Sequence, residues 1–147
     1  MPFASGAVEF VYGSVVTAIS EPTTAIAVDA FDSGTKTGVT TDAILADAVL
    51  YIDWAVAPTA GGQIKLFRRD LNIDGVNDSP VPDAAYPYTY VGSFFVDAVI
   101  TEQYLQLLNI PMSADCEFYI QNVSDQATSA SITMTLKITP KSYNVIA

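Results

Sequence analysis

From Ile132 to Thr139 the chain alternates without interruption. Ile132, Met134, Leu136 and Ile138 fall on one side, and Thr133, Thr135, Lys137 and Thr139 on the other. Successive side chains of an extended strand point to opposite faces, so this period of two requires a strand with one buried and one wet face. A helix would scatter the same four apolar residues around its circumference. One such strand implies a sheet, and the apolar face of that sheet must be covered by a second layer. Ala43–Ala57 alternates in the same way. Ile44, Ala46, Ala48, Leu50, Ile52, Trp54 and Val56 share a face, while Asp47, Tyr51 and Asp53 form the opposite, solvated one.

Further strands are expected over Ala7–Ser20 (interrupted at Gly13 and Ser14 and ended by Glu21-Pro22), Thr24–Phe31, Gln63–Arg69, Tyr88–Ile100 and Glu117–Asn122. Glu102–Asn109 reads as a strand before Pro111, with a short helix on Tyr104, Leu105 and Leu108 as the alternative. Asp32–Thr41 is nearly devoid of apolar residues and reads as a loop, and Pro140 is expected to stop the last strand because proline cannot donate to a ladder. Tyr88–Ile100 is apolar on both faces, with Tyr88, Tyr90, Phe94 and Val96 opposing Val91, Phe95 and Val99. Such a strand is sandwiched between layers or meets another subunit. About eight strands with several long connections predict a single antiparallel β-sandwich, a jelly roll or related Greek key. It would span residues 7–147 behind an N-terminal arm, residues 1–6.

Composition agrees with an all-β chain. Half of the 147 residues are hydrophobic and 15% are charged, which excludes disorder. Eight Tyr and seven Phe stand against only six Lys and Arg, so helix surfaces would be hard to furnish. The net charge of −10 repels phosphate backbones and argues against direct nucleic-acid binding. The lone Cys116, between Asp115 and Glu117, reads as an inert packing residue. Neither a basic, then apolar N-terminal leader nor an apolar run long enough to cross a membrane is visible, so a protein made in a cytoplasm, without membrane contact, is expected.

The run Asp70-Leu71-Asn72-Ile73-Asp74-Gly75-Val76-Asn77-Asp78 spaces side-chain oxygens two residues apart and puts glycine at the bend. Hard cations take several oxygens, so Asp70, Asn72, Asp74 and Asp78 are candidate calcium ligands. The position where a helical calcium loop carries a bidentate Glu is Val81, however, and the flanking segments are strands. The same residues also make an ordinary polar turn, which is the preferred reading, with no cofactor beyond this calcium.

Catalytic kits are missing from the sequence. With no histidine, the commonest general base and zinc ligand are gone; Ser93 after Gly92 has no imidazole to activate it; Gly61-Gly62 is not followed by a phosphate-binding Lys. A carboxylate-pair glycosidase is the weakest reading, and the chain is expected not to be an enzyme. Trp54 reads as core. Tyr86, Tyr88 and Tyr90 flank the acidic loop, and Tyr88 and Tyr90, on one face, are candidate interface residues, for a partner subunit or a glycan. Pro2 and Phe3 in the arm are candidates to cross to a neighbour.

Lys65–Arg69, Asp74–Asp78, Val91-Gly92-Ser93-Phe94, Thr101–Gln103, Pro111, Phe118–Asn122 and Leu136–Pro140 form a succession of short words. Over roughly Ile52 to Val145 this succession resembles a family of small structural proteins from tailed bacteriophages. The resemblance implies a virion component that decorates or cements the capsid exterior, with the major capsid protein as partner and no catalytic residues to carry over. The apolar arm and the doubly apolar Tyr88–Ile100 strand suggest surfaces buried between chains, as in a homo-oligomer, taken as a trimer from the symmetry of capsid lattices. Alternatives are a tail or adaptor component, or a carbohydrate-binding module that attaches the virion to a cell.

Overall fold

A computed structural model describes residues 5–87 and 89–145. The arm residues Pro2 and Phe3, and Tyr88, lie outside the described residues. Ten strands are described: β1 (Val8–Tyr12), β2 (Val16–Glu21), β3 (Thr35–Lys36), β4 (Val39–Thr40), β5 (Leu45–Ile52), β6 (Gln63–Asp70), β7 (Tyr90–Phe95), β8 (Gln103–Pro111), β9 (Asp115–Asn122) and β10 (Met134–Val145). There is no helix among the described residues. The strands form two antiparallel sheets, one ordered β3-β2-β10-β5-β8 with β1 also on β10, the other ordered β4-β9-β6-β7.

The pairing has a simple logic. β2 pairs with β10, β4 with β9, β5 with β8 and β6 with β7. The first half of the chain therefore pairs with the second half in reverse, as if one long hairpin had been rolled up. A rolled hairpin of this kind, split into two four-strand orders, is the jelly roll. The expected count of about eight is recovered because β1 and β2 are one run broken at Gly13–Val15, and β3 is a two-residue addition.

The core lies between the sheets. In β5 and β9 burial alternates residue by residue, which puts Ala46, Ala48, Leu50 and Ile52 opposite Cys116, Phe118 and Ile120. Ile64, Leu66 and Phe94 complete one wall, and Leu136 and Ile138 the other. Each fully buried Leu, Ile or Phe of this kind contributes roughly 1.5–3 kcal/mol.

Several expectations need correction. Thr24–Phe31 is not a strand; only Ile26 enters the core, and its backbone is held from Thr128 and the Asn122 side chain. Asp32–Thr41 is more than a loop, since it contains β3 and β4. A single apolar residue, Val39, anchors β4, and Gly34 lies so near Ser20 that an added Cβ would sit 2.9 Å from its carbonyl oxygen. Pro140 does not stop β10, which runs on to Val145. The Pro140 carbonyl accepts from the Gly13 N–H at 2.7 Å. A strand residue points its N and C=O to the same side, so the missing N–H falls at the β1–β2 break, where the ladder has lapsed. In the Ala43–Ala57 run the alternation holds only across β5, with Ile44 and Val56 exposed. Asp53 is buried at 8% exposure, where it accepts from Ser131 Oγ at 2.8 Å. Asp47 is an ion-pair partner and not part of a freely solvated face. Within the described part of the Tyr88–Ile100 run the strand is β7, which turns Phe94 inward and Phe95 outward, with an irregularity opposite Leu66/Phe67, and residues 96–100 lie outside it.

Candidate functional site

The Asp70–Asp78 loop closes on itself. At its neck Ser79 N donates to the Asp70 carbonyl at 2.9 Å, and Asp70 N donates to Ser79 Oγ at 2.8 Å. Asn72 and Gly75 take left-handed backbone, φ 51° and 89°. The Asp74 carboxylate accepts from the Val76 and Asn77 backbone N–H groups at 3.1 and 2.8 Å and from Asn77 Nδ2 at 2.6 Å. Those bonds, the Asn77 backbone N–H foremost, hold its carboxyl below the usual range. The other candidate ligands face elsewhere. Asp70 accepts from Arg68 Nε and Ser113 Oγ, Asp78 accepts from the Asn72 N–H, and the Asn72 amide donates to Asp115. Among the described residues no three His, Cys, Asp or Glu side chains gather as a metal site. The arrangement is that of a self-bonded polar turn.

Behind this loop the outer face of the β4-β9-β6-β7 sheet is clamped. Arg69 donates to Glu117 Oε1 at 2.8 Å and through Nε to the Ser79 carbonyl at 2.8 Å, and the Tyr119 hydroxyl donates to the same Glu117 oxygen at 2.7 Å. The bond to Glu117 raises the Arg69 pKa further. Burial first, then the Glu117 bond, pushes the Tyr119 phenol up to about 12. Tyr90 sits edge-on against Phe67, ring centroids 5.9 Å apart, and its hydroxyl lies 2.8 Å from Ser93 Oγ. Half of Tyr90 remains exposed. Cys116 is buried and its thiol is pushed up by that burial, in keeping with a packing role.

The outer face of the other sheet carries what periodicity alone could not join. Tyr51 and Tyr104 are cross-strand partners on β5 and β8, their rings 4.8 Å apart. With Val49, Thr135 and Lys137 they line a shallow groove of about 280 Å³. Desolvation and the nearby Glu102 carboxylate raise the Tyr51 phenol. Farther along the same face Lys141, 4% exposed, pairs with Asp47 at 2.7 Å and lies 5.0 Å from the Phe10 ring centroid.

Beyond Leu45 the end of β10 pairs only with β1, and the two form a two-stranded ribbon. Val8, Phe10 and Tyr12 share one face of the ribbon with Tyr143 and Val145. All five are 48% to 64% exposed, and the Phe10 and Tyr143 rings are 4.8 Å apart. The β1 apolar face is legible as alternation in Ala7–Ser20. Its partners Tyr143 and Val145 are not, because they lie past a proline expected to end the strand.

Compared with protein-family models, with curated proteins and with solved structures, the chain matches none.

Proposed function

We propose that this protein is a structural component of a phage virion, a decoration (cement) protein that sits on the capsid exterior and stabilises it as an oligomer, three-fold on the symmetry of capsid lattices. The observation that carries the reading is the apolar face of the β1–β10 ribbon. Five neighbouring side chains, each about half exposed, form a patch of the kind that soluble chains usually cover with a partner. The jelly roll supports the reading at the level of architecture, since viral capsid domains use it, although lectins and cupins do so too. An acidic surface would also keep such a protein off packaged DNA. The test is cosedimentation with empty capsids. Saturable binding at a fixed ratio to the major capsid protein is expected, and no binding at any ratio would overturn the reading.

A second reading, attachment to glycans, has one specific observation in its favour. The Tyr51–Tyr104 pair walls a groove with a hydroxyl (Thr135) and an ammonium (Lys137) at its rim. Aromatic faces take the apolar side of a ring while polar groups meet its hydroxyls. Tyr90 is less suited, because its ring already packs on Phe67. Reproducible glycan-array hits that vanish in Tyr104→Ala, without capsid binding, would favour this reading over the first.

A further inference from the structure

The free edge of β1 offers more than the patch beside it. In an antiparallel pair, residues whose N–H and C=O bond the partner strand alternate with residues whose groups point away. Gly13 donates to Pro140 at 2.7 Å and so lies on the bonded phase of the β1–β10 ladder. Counting back by twos, Glu9 and Val11 bond to β10, while the N–H and C=O groups of Val8, Phe10 and Tyr12 point outward. Among the described residues those outward groups have no hydrogen-bond partner. The usual protections of an edge are also missing, for Val8–Tyr12 holds no proline, no lysine and no bulge, and only one charge, Glu9.

We propose that this edge pairs with the same edge of a second copy of the chain, antiparallel, about a two-fold axis at Phe10. The sequence VEFVY is self-complementary in that register. Phe10 faces Phe10 of the second copy and Val8 faces its Tyr12, so all three outward-pointing residues find partners. Glu9 falls opposite Val11, which keeps the two carboxylates from facing each other. The axis is perpendicular to the sheet, so the apolar faces of both ribbons join into one stripe on the same side. A second copy fits better than an unrelated strand because the pattern reads the same in both directions. An isologous contact of this kind joins copies in pairs and cannot close a three-fold ring, so in a trimeric coat it would link neighbouring trimers.

The edge pairing rests on the oligomer half of the proposed function and not on the capsid half. It is therefore tested on the purified full chain alone, with capsid cosedimentation as the separate test of the other half. Sedimentation velocity over a concentration series is combined with residue-resolved amide exchange. The expected result is reversible pairwise association (monomers into dimers, or trimers into linked trimers), with the Val8, Phe10 and Tyr12 amides gaining at least tenfold protection as concentration rises while Glu9 and Val11 are protected throughout. Phe10→Asp, which sets two carboxylates opposite each other, should weaken the dimer at least tenfold. Val11→Thr, on the opposite face and opposite Glu9 without a charge of its own, should weaken it far less. A monomer at every concentration would overturn the proposal. An oligomer in which the Val8, Phe10 and Tyr12 amides stay unprotected would also overturn it, whatever the variants do.

Discussion

Removing Asp47 should cost more than removing the lysine it pairs with. The Lys141 side chain is 5% exposed and that of Asp47 18%, with 2.7 Å between Nζ and Oδ1. In Asp47→Ala the ammonium is left with the Phe10 ring at 5.0 Å and little access to water. Breaking a buried pair from the side that strands the better-buried charge costs about 3–4 kcal/mol. For a chain of this size that corresponds to a fall in melting temperature on the order of 10 °C. In Lys141→Met, by contrast, Asp47 keeps the Asn109 N–H at 3.1 Å and its own exposure, so the loss should be about 1–2 kcal/mol. Replacing both, as Asp47→Leu with Lys141→Met, should return the protein to within about 1 kcal/mol of its starting stability, since an apolar pair carries no desolvation cost. Urea unfolding of the four proteins measures the cycle. If Asp47→Ala costs under about 1 kcal/mol, or the two changes simply add, the pair is hydrated and the ribbon does not pack over it.

Other outcomes follow from the same geometry. Asp74→Ala removes three hydrogen bonds from an exposed turn and should lower the melting temperature only slightly; melting of the intact protein should be the same in calcium and in chelator, and a calcium-dependent rise lost in the variant would support the metal reading. Gly75→Ala forces a methyl onto a backbone at φ 89° and should destabilise by roughly 1 kcal/mol despite open space around it, a loss that urea unfolding would read. The Tyr119 phenol is raised above its unfolded value of 10 to about 12, so its contribution is full below pH 10 and lost as pH rises toward 12. Tyrosinate absorbance in Tyr119→Phe should accordingly lose amplitude near pH 12, and a loss of amplitude near pH 10 instead would contradict the burial of the phenol and its Glu117 contact.

The sandwich is legible where one face of a strand meets the core and the other meets water. Met134–Thr139 and β5 obey that rule, and alternation alone places their inward residues correctly, whereas Ile132, expected inward, lies before β10 and is only half-buried. It fails where backbone groups are satisfied by something other than a ladder. Thr24–Phe31 has strand composition, yet its backbone is held by Asn122 and Thr128 across long sequence separations. Pro140 sits inside a strand because its missing N–H coincides with a break between two partner strands, a coincidence no local pattern encodes. The Tyr51–Tyr104 pair and the Asp47–Lys141 pair each join distant segments through strand register. The acidic loop shows the opposite limit. Its first six positions match a calcium motif, while the directions of its side chains depend on Arg68, Ser113 and Asp115, outside the motif.

The most direct test of the proposed function is a three-dimensional map of the assembled virion at a resolution that traces strands. A β4-β9-β6-β7 and β2-β10-β5-β8 jelly roll is expected on the outer surface of the capsid, with its ribbon face covered by a neighbour. The same density found only in the tail, or missing from the particle altogether, would contradict a role in capsid decoration.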